Sequence, residues 1–191
     1  MSPGDAPAFA LRSPTTADTD RLLTIHSRAY EALAMASIGR WDEALRREAF
    51  TGDYAPETTR VIDTGAIAGW VRVDDLGTER FLDTLVIHPD HQGRGLGAAV
   101  TRRVMAEAEA AGTPLTLSVV RINRAAALYR RLGFQPFAED PVRQWMGYPA
   151  VAAAAREERA MRALSRKTEP DLEALTYQDR SRNRRLQLRI L

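Results

Sequence analysis

The stretch LVIHPDHQGRGLGAAV, residues 85–100, places glycine at 93, 95 and 97 between an apolar run and an alanine-rich segment. The apolar run reads as a strand and the alanine-rich segment as a helix, so the glycines must turn the backbone from one to the other. Glycine reaches positive φ readily, and the first turn of a helix leaves N–H groups without intrahelical acceptors. The pattern therefore predicts a strand, a turn able to accept an anion, and a helix. The loop alone fits three uses: a dinucleotide, an acyl-carrier cofactor, or a plain tight connection.

The dinucleotide reading fits poorly. Gly93, Gly95 and Ala98 satisfy G-x-G-x-x-G/A, but that fingerprint belongs in the first strand–helix turn of a parallel unit, and this loop begins only at residue 88. The next apolar run ends Val119-Val120-Arg121, with no acidic residue to hold a ribose. A Walker-type loop is excluded because no Lys follows the glycines.

With 191 residues the chain is long enough for one domain with a real core. It has no Cys, so disulfides, cysteine-based zinc sites and a thiol nucleophile are ruled out. No apolar run approaches the ~18 residues of a membrane span. The opening MSPGDAPAFA lacks the basic-then-apolar pattern of a signal peptide, so a cytoplasmic location is expected. Charge is uneven. Residues 151–191 carry ten Lys or Arg against six Asp or Glu, net +4, while the remainder carries 17 against 19, net −2.

Along the chain, AFALR (8–12) predicts a first strand, and SPTTADTDRLLTIHSRAYEAL opens a capped helix with Leu22, Leu23, Ile25 and Ala29 apolar. A second helix is predicted over 41–50, with Trp41, Leu45 and Ala49 on one face. TTRVID and AIAGWVRV, turned by Thr64-Gly65, form a hairpin, and ERFLDTLVI (79–87) is a third strand of that group. A helix over 95–111, a strand over 114–120, a helix over 123–134 and a closing strand pair complete the order. The pattern β–α–α–β–β–β–α–β–α–β–β predicts an α+β fold, a mixed and mostly antiparallel sheet flanked by helices. The domain is expected over 8–149, with 150–191 a helical, Arg-rich extension.

The glycine stretch also resembles the Q/R-x-x-G-x-G/A signature of the GCN5-related N-acetyltransferases, with Gln92, Gly95 and Gly97 at its positions. Further on, NRAAALYRRLGF resembles a second signature of that superfamily, with Asn123, Ala126, Leu128, Tyr129, Gly133 and Phe134 at matching places. The resemblance spans roughly residues 8–148 and leaves the tail outside. GRWDEALRREAF is more loosely similar to a segment of one bacterial branch of acetyltransferases.

This resemblance implies an acyl-CoA N-acyltransferase fold and acetyl-CoA as cosubstrate, with no metal. It implies that Gln92, Gly93, Arg94, Gly95, Leu96, Gly97 and Ala98 hold the pyrophosphate, and that the pantetheine arm pairs with backbone at Leu85, Val86 and Ile87. A backbone N–H at or near Ile87 polarises the thioester carbonyl. Asn123 contacts the cofactor, and Tyr129 is the general acid for the departing thiolate.

Each residue also has a simpler reading. Asn123 is a good helix N-cap. Tyr129, beside Leu128 and Leu132, suits core packing. Asp83 shares the strand face of Leu85 and Ile87 by period-two alternation, which makes it the candidate base, with His26, His88 and Glu43 as alternatives. Where relatives carry a glutamate on this strand, Val86 stands here, so no base carries over. His88-x-x-His91 has too few partners for a metal. Trp41 and Trp70 fit either an acceptor pocket or the core, and Asp42, Glu43, Asp74 and Asp75 are placed to attract a cationic amine.

The resemblance thus implies acetyl transfer to a primary amine on a small molecule, peptide or protein. A non-catalytic acetyl-CoA-binding module is the competing class. The tail's Arg180, Arg182, Arg184, Arg185 and Arg189 lack interleaved aromatics, which argues against nucleic acid. A solvated or partly disordered extension, or a helix packing against a second copy in a homodimer, suits them better.

Overall fold

In the computed structural model, which describes residues 8–148 and 189–190, the elements follow the predicted order. They are β1 (Ala10–Arg12), α1 (Thr19–Ile38), α2 (Glu43–Asp53), β2 (Thr59–Asp63), β3 (Ile67–Asp75), β4 (Arg80–Ile87), α3 (Leu96–Ala110), β5 (Leu115–Val120), α4 (Ala125–Arg131), β6 (Gln135–Glu139), β7 (Arg143–Tyr148) and β8 (Arg189–Ile190). The strands are ordered β1-β2-β3-β4-β5-β7-β6-β8. β4 and β5 pair in parallel, whereas β1–β2, β2–β3, β5–β7, β6–β7 and β6–β8 are antiparallel. The helical extension predicted over 150–191 lies outside the described residues, apart from the backbone of Arg189–Ile190. The chain divides into two compact units, residues 1–74 with 83–103 and residues 75–82 with 104–191.

In the first unit, the β2–β3 hairpin turns at Gly65, which takes φ +90° while its N–H donates to Asp63 Oδ1 at 2.9 Å. β1 lies on β2 with Leu11 opposite Ile62. Arg12 anchors that edge by donating to both Asp18 oxygens at 2.8 and 3.0 Å and to Asp63 at 3.1 Å. This guanidinium and the Thr15 N–H hold the Asp18 carboxyl well below the usual carboxylate range. α1 stops at Gly39, whose φ of +71° ends the helix as its N–H donates to the Met35 carbonyl. α2 starts two residues later than predicted because Asp42 caps it, accepting from the Leu45 N–H at 2.9 Å. The core gathers Leu22 and Ile25 from α1, Phe50 from α2, Val61 from β2, Trp70 from β3 and Val86 from β4. Each such side chain stabilises the fold by about 1.5–3 kcal/mol when fully buried.

In the second unit, β7 inserts between β5 and β6, running antiparallel to β5 from Leu115 opposite Tyr148 to Val120 opposite Arg143. The register of β6 shifts between Pro136 and Ala138, where proline has no N–H for a ladder. α4 is shorter than the predicted 123–134 for a reason at each end. Asn123 spends its side chain on the Ala125 N–H, and Gly133 turns left-handed at φ +95°.

β4 changes sides along its length. The Arg80 N–H donates to the Pro114 carbonyl at 2.9 Å, and Arg80–Leu82 pair with Leu115–Leu117 of β5. Farther on, the His88 N–H donates to the Ala68 carbonyl at 2.8 Å, towards β3, and the Val86 carbonyl also lies against β3 at Gly69. Along a regular strand, residues an even number apart direct their N–H and C=O to the same side. The alternation is therefore broken once between Leu82 and Val86, as a bulge breaks it.

Candidate active site

The loop after β4 is built from local hydrogen bonds. Pro89–His91 form a single 3-10 turn, with the His91 and Gln92 N–H groups donating to the His88 and Pro89 carbonyls. Gln92 then folds back and its Nε2 donates to the Ile87 carbonyl at 2.8 Å. Gly93 and Gly95 follow at φ +74° and +81°, a conformation strained for other residues, and no atom stands within 4 Å of where a Cβ would be. The Ala99 N–H donates to the Gly95 carbonyl as the first helical bond of α3, so the N–H groups of Leu96, Gly97 and Ala98 lie ahead of it. Leu96 and Val100, both buried, anchor this end of the helix while 93–95 stay exposed.

Ile87 lies between Val86, whose carbonyl lies against Gly69 of β3, and His88, whose N–H donates to Ala68 of β3. Its own N–H and C=O consequently turn to the opposite edge, where Gln92 meets the carbonyl. Gly69 permits the close approach of β3, since a Cβ there would stand 2.1 Å from the Val86 oxygen. Asp83 lies in the irregular stretch, so the period-two count linking it to Leu85 and Ile87 does not run through. Its Oδ2 accepts from Thr84 Oγ1 at 2.8 Å and lies 3.7 Å from Arg72 Nη1.

These residues, 83–98, belong to the first unit; Asn123 and Tyr129 belong to the second. Asn123 Oδ1 accepts from the Ala125 N–H at 2.9 Å, one residue ahead of Arg124, which holds the cap position of α4 in place of the predicted Asn123. Tyr129 is buried, its ring edge-on to Phe134 at 5.7 Å between centroids. Burial pushes its phenol up to about 12, so it stays protonated at neutral pH.

Of the other candidates, Glu43 is exposed and paired with Arg46 and Arg47 on α2. His88 is buried, and its Nδ1 accepts from the Asp90 N–H at 3.2 Å. Burial above all, with Arg21, Arg28 and His91, lowers its pKa against the pull of Asp90. Neutral His88 thus carries its proton on Nε2, a donor and not a base. His26 is fully buried, with Nε2 3.0 Å from Asp53 and its ring stacked on Tyr30 at 4.4 Å. Trp70 is core, and Trp41 is half-buried just ahead of α2. Among the described residues no group of three or more His, Asp or Glu converges to hold a metal. Sequence reasoning passed over Arg72, whose partners lie at 52, 53, 74 and 83.

A mixed, mostly antiparallel sheet flanked by helices, with a glycine turn joining β4 to α3, matches the acyl-CoA N-acyltransferase fold. Residues 56–136 match the acetyltransferase (GNAT) domain family. The chain is similar in structure to the PaiA N-acetyltransferase of Thermoplasma acidophilum, solved with coenzyme A, at 14% identity and a TM-score of 0.61, over 73% of this chain and 98% of that one. It is also similar to an acetyltransferase of Thermus thermophilus, at 24% identity and TM-score 0.58, over 74% and 97%. The ribosomal-protein-S18-alanine N-acetyltransferase of Escherichia coli matches at 24% and 0.57, over 76% and 96%. At these identities the solved structures show the fold. The matched residues, 56–136, run from β2 through α4 and include the glycine loop.

Proposed function

We propose that this chain moves the acetyl group of acetyl-CoA to a primary amine by direct attack, with residues 8–149 as the catalytic domain. The observation that carries the reading is the Gln92–Ile87 hydrogen bond, which joins the end of β4 to a left-handed glycine pair at the mouth of α3. The cosubstrate fits that arrangement. Donors at the helix start suit a pyrophosphate, and the open space around Gly93 and Gly95 lets one approach their backbone.

Bound acetyl-CoA supplies the activated acetyl group. The N–H groups of Gly93–Ala98 and the Arg94 cation hold the phosphates, and Asn123 adds a polar contact. Backbone at Leu85–Ile87 pairs with the pantetheine arm, and the Ile87 N–H donates to the acetyl oxygen as charge grows on it. Asp83 takes a proton from the acceptor ammonium, freeing the nitrogen lone pair. That nitrogen bonds to the acetyl carbon as the C–S bond breaks, the electron pair leaves with sulfur, and the second nitrogen proton passes to the departing thiolate or to water. Tyr129 donates towards that sulfur. A reference thiol titrates near 8.5, so outright transfer from a phenol at about 12 is uphill by roughly 5 kcal/mol unless the sulfur is buried too. Tyr129 therefore works chiefly as a hydrogen-bond donor to the departing thiolate.

The acceptor is a cationic amine on a small molecule, peptide or protein, handled in the cytoplasm, with a second copy of the chain as the expected partner. No described helix is long and apolar enough to cross a membrane. Thiol release from acetyl-CoA across a panel of polyamines, amino acids and peptide N-termini tests this reading. Turnover with any of them supports it. Coenzyme A binding without turnover on any acceptor indicates a cofactor-binding module instead.

A further inference from the structure

Arg72, on β3, reaches the end of α2, its own strand and β4 within the first unit. Its Nε and Nη2 donate to Asp74 Oδ1 and Oδ2 at 2.9 and 3.0 Å. Its Nη1 donates to the Asp53 and Gly52 carbonyls at 3.2 and 3.4 Å and lies 3.7 Å from Asp83 Oδ2. Those carbonyls end α2, where no helical donor meets them. Asp53 in turn faces His26 of α1 through its carboxylate. The groups around the guanidinium are thus Asp53, Asp74 and Asp83, with Thr84 on Asp83 and His26 on Asp53.

We propose that Arg72 is a positioning residue for the acceptor half of the reaction, fixing the Asp83 carboxylate on the irregular stretch of β4 against β3 and the end of α2. The inference rests on the acetyltransferase reading with Asp83 as base. Thr84 donates to Oδ2, and the Arg72 guanidinium faces the same oxygen as a charge at 3.7 Å. The cation stands within ion-pair distance of that carboxylate. Only a planar fork satisfies Asp74, two carbonyls and Asp83 together, so lysine keeps the charge and loses the geometry.

The test compares Arg72→Gln, Arg72→Lys and Asp83→Asn in the full chain, by pH profiles of kcat/KM, coenzyme A affinity and a carbon-13 titration of the Asp83 carboxyl. Arg72→Gln is expected to lower kcat at least tenfold, leave coenzyme A affinity within threefold, and move both the acid limb and the Asp83 titration to higher pH. Arg72→Lys restores the limb and the titration but not full kcat. An Asp83 titration unmoved by Arg72→Gln overturns the inference, as does wild-type kcat in Arg72→Lys, which folds on its retained charge if the glutamine variant does not. An inert wild type whose Asp83 titration still responds to Arg72 counts against the acetyltransferase reading alone. An Asp83→Asn variant that retains the acid limb overturns the base role on which the inference rests.

Discussion

A Cβ on Gly69 would stand 2.1 Å from the carbonyl oxygen of Val86, closer than any real side chain tolerates. The two backbones meet where β3 lies against the end of β4, one residue from the Ile87 edge. Gly69→Ala must push β3 away or rotate the Val86 peptide. Overpacking of this kind costs about 1–3 kcal/mol. The variant is expected to unfold several degrees lower in a thermal scan and to bind coenzyme A more weakly. An unchanged midpoint would falsify the close approach.

Gln92→Ala removes the donor from the Ile87 carbonyl while leaving the glycines in place. A lost hydrogen bond is worth about 1 kcal/mol. The KM for acetyl-CoA should rise about fivefold, with the unfolding midpoint little changed. Gly95→Ala puts a side chain at φ +81°, which strains the turn by roughly 1–2 kcal/mol. It is expected to lower both stability and coenzyme A affinity, so the two variants separate the latch from the turn. Equal effects on both measurements in both variants would sink that distinction.

Tyr129→Phe keeps the packing against Phe134 and deletes the donor. General acid contributions run to about 10²–10⁴-fold, and a hydrogen-bond donor falls at the lower end. A loss of about a hundredfold in kcat is expected, with coenzyme A affinity within threefold. The folded phenol titrates at about 12 against an ordinary value near 10. The fold therefore favours the protonated form, and that contribution is complete below pH ~10 and lost as pH climbs towards 12. Alkaline unfolding curves of the two proteins should diverge only above pH ~10.

His88 shows the opposite sign. Burial lowers its pKa, so the unfolded chain takes up this proton first as pH falls. Stability from neutral His88 is complete above pH ~6.5 and declines below it. Urea midpoints between pH 5 and 8 should therefore drop on the acid side, and His88→Gln should flatten that slope. A slope that persists unchanged in the variant would assign it to other groups.

Much of the fold could be read from the sequence because its signals are local. The Thr64-Gly65 hairpin and the turn at the glycine loop each need only a few neighbouring residues, and each stands where its residues predicted. The elements that escaped depend on distant partners. Nothing at 83–85 marks the break in β4, which carries neither Gly nor Pro there and shows only where its hydrogen bonds go. The place of β7 between β5 and β6 is set by long-range pairing. Arg72 carries no local signal, since its partners are scattered from Gly52 to Asp83.

The split of the chain, with 75–82 leaving the first unit before 83–103 returns to it, bears on the order of synthesis. Val86 belongs to the same core as Leu22, Ile25 and Trp70, so a nascent chain that has emerged only as far as Asp75 holds a hairpin and two helices around an unfinished centre. At about 5–20 residues per second the missing piece follows within seconds. During that interval the indole of Trp70 lacks its Val86 cover, and β3 stands without β4 beside it. The first unit of this protein thus closes its core only once residues 83–103 have joined the segment made before them.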